Sequence, residues 1–216
     1  MATKAKPAAK AKARAKPPAG DELGNPRAVE LLYAALEPEL GGVEVYRTAL
    51  ECAVDEDLRE EWTKYLEQTE EHVRALTEVC RRLGLDPDRE TPGRQICRHV
   101  GKALVKAMQL ALGSATPEAA ELVAAECVVH AETKDHMNWS LLGELAKGLP
   151  DEAGSVLREA CERCEEEEDE HLYHSMGWAR ELALAALGLE AQLPPPEERQ
   201  DAKSQMEAAQ AKESRR

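Results

Sequence analysis

Six side chains have the types and spacing to hold metal ions: Glu39, His72, Glu132, His136, Glu168 and His171. Each interrupts an apolar stripe in a segment of helical periodicity. Steps of three and four align Leu32, Leu36, Glu39 and Tyr46 in one segment, and Trp62, Tyr65, Thr69, His72 and Leu76 in the next. Two later segments align Ala125, Glu132, His136 and Trp139, then Leu157, Cys161, Cys164, Glu168, His171 and Trp178. Such stripes face a protein interior. Burying Glu or His there is costly unless the group is paired or coordinates a cation. Carboxylate and imidazole donors together suit iron, manganese or zinc. Glu168 and His171, three residues apart, reach one ion from one helix face.

Four long helices must position these groups. Asn25-Pro26 starts a helical pattern over 26–54, which Pro38 and Gly41-Gly42 are expected to kink or split. Asp55 caps a second over 56–84, closed by Gly84. Thr91-Pro92 opens a shorter one over 91–112, basic on one side through Arg94, Arg98, Lys102 and Lys106. Thr116-Pro117 opens a fourth over 117–147, and Asp151 a fifth that runs to about Gly188. Short loops make the first and last pairs antiparallel hairpins. The short helix is long enough to cross between them.

Depth along the hairpins agrees with a shared site. Glu39 lies 17 residues before a turn near residue 56, and His72 lies 16 after it. Glu132 and Glu168 each lie 18 residues from a turn near 150. Residues equally distant from a hairpin turn share a level, so the candidate ligands should meet at one height. Glu167 is the rival to Glu168 if the helix is rotated. Glu44 and Glu67 are fallback carboxylates nearer the turn. His130 and His174 fall off the stripes and are expected at the surface, and Trp62, Trp139 and Trp178 are expected in packing.

The 216 residues suffice for one domain with tails. Phe is absent and Ala, Leu and Glu are abundant, which favours helices over sheets. No apolar run is long enough to cross a membrane, and the beginning of the chain has no apolar export signal, so a cytoplasmic location is expected. The six Cys are then expected as reduced thiols, with Cys161-x-x-Cys164 packed in a helix rather than holding zinc. Residues 1–20 carry six basic side chains and no acid, so the whole-chain charge of −14 becomes −20 over the remainder. That excess opposes nucleic-acid binding by the folded body. Residues 1–24 read as a disordered basic Ala/Lys/Pro tail, 25–190 as the helical body, and 191–216 as a charged extension opening on Pro194-Pro195-Pro196.

These residues resemble the ferritin-like di-metal carboxylate superfamily, whose pattern is one Glu on each of two helices and Glu-x-x-His on each of two others. Glu39 and Glu132 match the single carboxylates, and Glu168-x-x-His171 matches one pair. The position three before His72 is Thr69, a poor ligand, so the second pair departs from the pattern and His136 is the residue that would compensate. Leu32-Tyr33-Ala34-Ala35, Leu66-Glu67-Gln68-Thr69-Glu70, Cys97 and His130-Ala131-Glu132 are similar to the YciE/YciF-like bacterial stress-associated family. The resemblance implies an all-α, ferritin-like four-helix bundle of two antiparallel hairpins with an extra crossover helix, forming a homo-dimer or higher homo-oligomer. It implies two iron ions, with manganese or zinc as alternatives, on Glu39, His72, Glu132, His136, Glu168 and His171, reacting with oxygen or peroxide in an oxidative-stress or iron-handling role. The alternative is a non-catalytic bundle, structural or nucleoid-associated, that touches DNA or an acidic partner weakly through residues 1–20.

Overall fold

Polar caps set where the first four helices begin, followed by proline in all but the second. The computed structural model describes residues 23–149 and 151–199. Its helices are α1 (Pro26–Cys52), α2 (Glu56–Arg82), α3 (Pro92–Ser114), α4 (Pro117–Gly148) and α5 (Asp151–Ala186), followed by a 3-10 turn at Pro196–Arg199. No strand occurs among the described residues. The Asn25 side chain accepts from Arg27 N–H at 2.9 Å, Asp55 from Asp57 N–H at 2.9 Å, and Thr91 from Arg94 N–H at 3.2 Å. Each satisfies an amide that the first helical turn leaves without a partner. Gly84 and Gly188, at φ of 70° and 71°, end α2 and α5 in the left-handed region that glycine adopts without strain.

The register of the two long pairs follows from their short turns. Tyr46 meets Tyr65 and Glu39 meets His72, so partners on α1 and α2 are equidistant from the turn. Likewise the Ala146 carbonyl meets Arg158, and His136 meets Asp169 across α4 and α5. Both pairs are therefore antiparallel. α3 packs on α1 and α4. Arg94 and Arg98 of α3 fork onto the buried Glu37 at 2.7 and 2.5 Å, which turns two residues of the basic face into an anchor.

The proline in α1 does not split the helix. Pro38 has no N–H for the carbonyl of Ala34, four residues earlier. Asn138 of α4 donates to that carbonyl at 3.2 Å, and the Cys97 thiol of α3 lies 3.8 Å from it. Neighbouring helices thus supply what the proline removes, and α1 runs unbroken for 27 residues.

Apolar side chains form two separate clusters along the bundle. One surrounds Leu36, Leu76, Leu142 and Leu157, and the other surrounds Tyr46, Leu58, Val128 and Trp178. Between them lies a polar layer containing Glu39, His72, Glu132, Glu168 and His171, each no more than 3% exposed. Cys161 and Cys164 are free and buried in the first cluster. Burial raises the Cys164 thiol to about 12, so it stays protonated.

Two boundaries shift. Leu23 is 3% exposed and belongs to the first cluster, so the body begins before residue 25. Residues 191–199 return along α5: Arg180 pairs with Glu197 at 2.5 Å and Gln192 N–H donates to Glu181 at 2.8 Å. Residues 1–22 and 200–216, including nearly all of the basic tail and most of the charged extension, lie outside the described residues. No helix among the described residues is long and apolar enough to cross a membrane.

Candidate metal centre

Five of the six predicted ligands converge. His72 Nδ1 lies 2.8 Å from Glu168 Oε1 and 3.7 Å from Glu39 Oε2. His171 Nδ1 lies 3.6 Å from Glu132 Oε2 and 3.9 Å from Glu168 Oε1. The rings of His72 and His171 stack with centroids 5.6 Å apart. Glu168 is common to both groupings. Two atoms bound to one ion at about 2.1 Å stand roughly 3–3.4 Å apart for octahedral to tetrahedral angles. The observed separations bracket that range.

The far side of each imidazole decides what the near side offers. His72 Nε2 donates to Glu167 Oε2 at 2.8 Å, and His171 Nε2 donates to Gln68 Oε1 at 3.0 Å. Both partners are acceptors, so the ring proton sits on Nε2 and the Nδ1 lone pair faces the carboxylates. This is the tautomer a metal-binding imidazole needs, fixed by an outer hydrogen bond. Glu39 is oriented similarly: Trp139 Nε1–H donates to its Oε1 at 2.6 Å, leaving Oε2 toward His72.

Acceptors therefore face acceptors at the centre. His72 Nδ1, His171 Nδ1, Glu132 Oε2 and Glu168 Oε2 are all buried without a hydrogen-bond partner. Native interiors seldom leave such atoms unpaired. Four unpaired atoms converging from three helices fit a cation. Electrostatics agree. Burial first, and then the Glu168 charge, hold the Glu39 carboxyl well above its usual range. Burial and then Glu132 do the same for Glu168. Burial and the neighbouring His171 push His72 down to about 4, so it is neutral at pH 7 and free to coordinate.

His136 is not brought into this group. Its side chain is 22% exposed, and Nε2 contacts Asp169 at 2.9 Å. Asp135 takes the inward position instead: the buried face of α4 runs Val128, Glu132, Asp135, Trp139, Leu142. Asp135 is 3% exposed, and burial, Glu39 and Glu132 hold its carboxyl well above the usual range. The Thr69 hydroxyl donates to the Tyr65 carbonyl at 2.8 Å. Glu167 sits at the edge of the centre, 37% exposed, as the outer partner of His72. Glu44 and Glu67 face solvent.

His174 is buried, contrary to its expected surface position. It belongs to a second cluster with Glu61 of α2 and Glu198 of the C-terminal turn. His174 Nδ1 lies 3.2 Å from Glu61 Oε1, 3.8 Å from Glu198 Oε2 and 2.8 Å from the Tyr65 hydroxyl. Tyr65 also donates to Glu61, and Trp178 Nε1–H lies between Glu61 at 2.5 Å and Glu198 at 2.7 Å. Its sequence signal is His171-x-x-His174, which a stripe running on to Ser175 hides.

One side of the centre opens to water. A groove of about 570 Å³ between α2 and α5, lined by Gln68, Glu71, Arg163 and Glu167 among others, reaches His72. No protein-family model, curated protein or solved structure matches the chain.

Proposed function

We propose that this chain is a ferritin-like metal protein whose polar layer holds one or two ions of iron, or alternatively manganese or zinc. Glu39, His72 and Glu168 would hold one ion, and Glu132, His171 and Glu168 the other, with Glu168 shared. The carrying observation is that both imidazoles place an unpartnered Nδ1 against carboxylates while outer acceptors hold their Nε2 protons. The resemblance to the di-metal carboxylate pattern agrees, as does an outer helix between two antiparallel pairs. Thr69 contributes no carboxylate, so the centre lacks the acid of the pattern's second Glu-x-x-His pair.

Redox-active ions in such a site supply electrons to oxygen or peroxide, and the oxidative-stress or iron-handling role rests on that chemistry. The chain's own part is narrower. It keeps His72 neutral, orients Glu39 through Trp139, and surrounds the layer with apolar clusters that exclude water. The groove at Glu167 gives ions a polar route to His72. A homo-oligomer remains part of this reading through the family resemblance alone.

A second reading follows from the raised affinities of Glu39 and Glu168 for protons. Protons would then fill the centre, and the bundle would serve partners or act through its basic tail. Metal analysis separates the two. Protein purified without chelator and reconstituted anaerobically with ferrous iron should hold at least about one equivalent, and Glu168→Gln with His171→Leu should hold almost none. Less than about one-tenth of an equivalent of iron, manganese or zinc in the unaltered protein would establish the proton-filled reading.

A further inference from the structure

The other side of the centre carries a different kind of opening. A cavity of about 200 Å³ lies between α1, α3 and α4, walled by Pro38, Val45, Val100, Leu104 and Ala131. Glycines in its lining let the surrounding helices approach closely. A Cβ on Gly101 would stand 3.8 Å from Gly41 Cα, and one on Gly42 would stand 3.2 Å from Thr69 Cγ2 and 3.9 Å from Asp135 Oδ2. Helix-interior glycine costs up to about 1 kcal/mol relative to alanine. Three of them line this one space.

Asp135 is the one polar lining residue that is fully buried, at 3% exposure, and its Oδ1 has no partner. A buried oxygen of that kind is costly unless something bonds to it. We propose that this cavity binds a small, mainly apolar organic molecule that carries one hydroxyl, with the hydroxyl on Asp135. The size suits a substituted benzene, since benzene itself fills an apolar cavity of ~150 Å³. A carboxylate is excluded by Glu39, Glu132 and Glu168, all close enough to perturb or be perturbed by Asp135. An ammonium would lose its hydration against apolar walls. A hydroxyl both donates and accepts, which suits a buried carboxyl oxygen left without a partner.

The location gives the pocket its meaning, and this part rests on the metal reading. Asp135 is three residues after Glu132 on α4, a rise of about 4.5 Å along the same buried face. A hydroxyl on Asp135 would therefore lie beside the metal centre, opposite the polar groove that ends at His72. Ions would enter through one wall and an organic substrate through the other.

The test uses the full-length protein, metal-free and metal-loaded, with benzyl alcohol, toluene and benzoate as probes, read by calorimetry and ligand-observed NMR. Benzyl alcohol should bind saturably, about tenfold tighter than toluene from one added hydrogen bond, and benzoate should not bind. Asp135→Ala should reduce benzyl alcohol to the level of toluene. Gly101→Leu should abolish binding of both by filling the space. Val100→Trp at the half-exposed mouth repeats that test without altering a packed position. Absence of saturable benzyl alcohol binding overturns the pocket, as it would if a second copy of the chain covered Ile96 and Val100. So does binding unchanged in Gly101→Leu and Val100→Trp, or an alcohol preference that survives Asp135→Ala. Metal uptake is read separately: protein that binds benzyl alcohol but no metal keeps the pocket and loses the metal reading, and the converse loses the pocket alone.

Discussion

Around His171 and around His174, one turn apart on α5, the bundle gathers the same residue types with opposite outcomes. At His174 the acids meet donors. Tyr65, Trp178 and His174 all bond to Glu61. Burial alone would raise Glu61, yet hydrogen bonds from His174, Glu198, Tyr65 and Trp178 lower it, while burial and the Glu61 contact raise Glu198 to about 9. One proton shared between the two carboxyls suits that division. At His171 the balance is reversed. Trp139 donates to Glu39 and the Tyr46 hydroxyl neighbours Glu132, yet four acceptor atoms of the layer have no hydrogen-bond partner. The ratio of donors to acceptors, rather than residue type, separates a network whose carboxyls are satisfied, with His174 Nε2 its one unpartnered nitrogen, from a centre whose unpaired acceptors fit a cation.

The largest expected effect comes from deleting a central ligand. His171→Ala should weaken metal binding by more than about 100-fold in a competition titration, beyond the usual loss for an outer partner. Glu61→Ala should leave metal stoichiometry unchanged yet destabilise the fold by about 2–4 kcal/mol, because Tyr65, Trp178 and His174 lose their shared acceptor. Equal loss of metal in both variants would erase the contrast between the clusters. Trp139→Phe should weaken metal binding about tenfold while the helical signal persists, since only the orientation of Glu39 is lost.

The pH dependence of metal-free protein sharpens the comparison. The raised carboxyls of Glu39 and Glu168 stabilise the fold fully below their unfolded value near 4.5, and that stability is lost as pH rises. His72, depressed from 6.5 to about 4, has the opposite sign: its contribution is present above 6.5 and lost as pH falls. Above 6.5 only the carboxyl effect still changes. The melting temperature of metal-free protein should therefore fall between about pH 6.5 and 8 more steeply than that of Glu168→Gln, and bound metal should remove the difference. Parallel profiles would mean that Glu168 does not carry a buried proton.

Much of this was legible in the sequence because hairpins convert residue number into depth. Glu39 with His72, and Glu132 with Glu168, could be levelled from two turns, and His171 follows from its three-residue spacing to Glu168. The caps at Asn25, Asp55 and Thr91 were equally plain. The rotation of α4 was not. Steps of three and four admit either Asp135 or His136 after Glu132, and the stripe was drawn through His136, yet packing turns Asp135 inward. Pro38 was expected to kink or split α1 because its remedy, Asn138, lies 100 residues further along and is invisible to local pattern. The His174 cluster was missed for a similar reason, since its third member, Glu198, arrives on a segment that reads as an extension.

The most direct test is a crystal structure of protein loaded with ferrous iron or manganese, with anomalous diffraction used to locate the ions. The account predicts anomalous peaks bonded to His72 Nδ1, His171 Nδ1 and Glu168, with Glu39 and Glu132 completing the two sides and the Glu61–His174–Glu198 cluster metal-free. Metal at His174 in place of His171, or no peak beside either Nδ1 in protein exposed to excess metal, would contradict it.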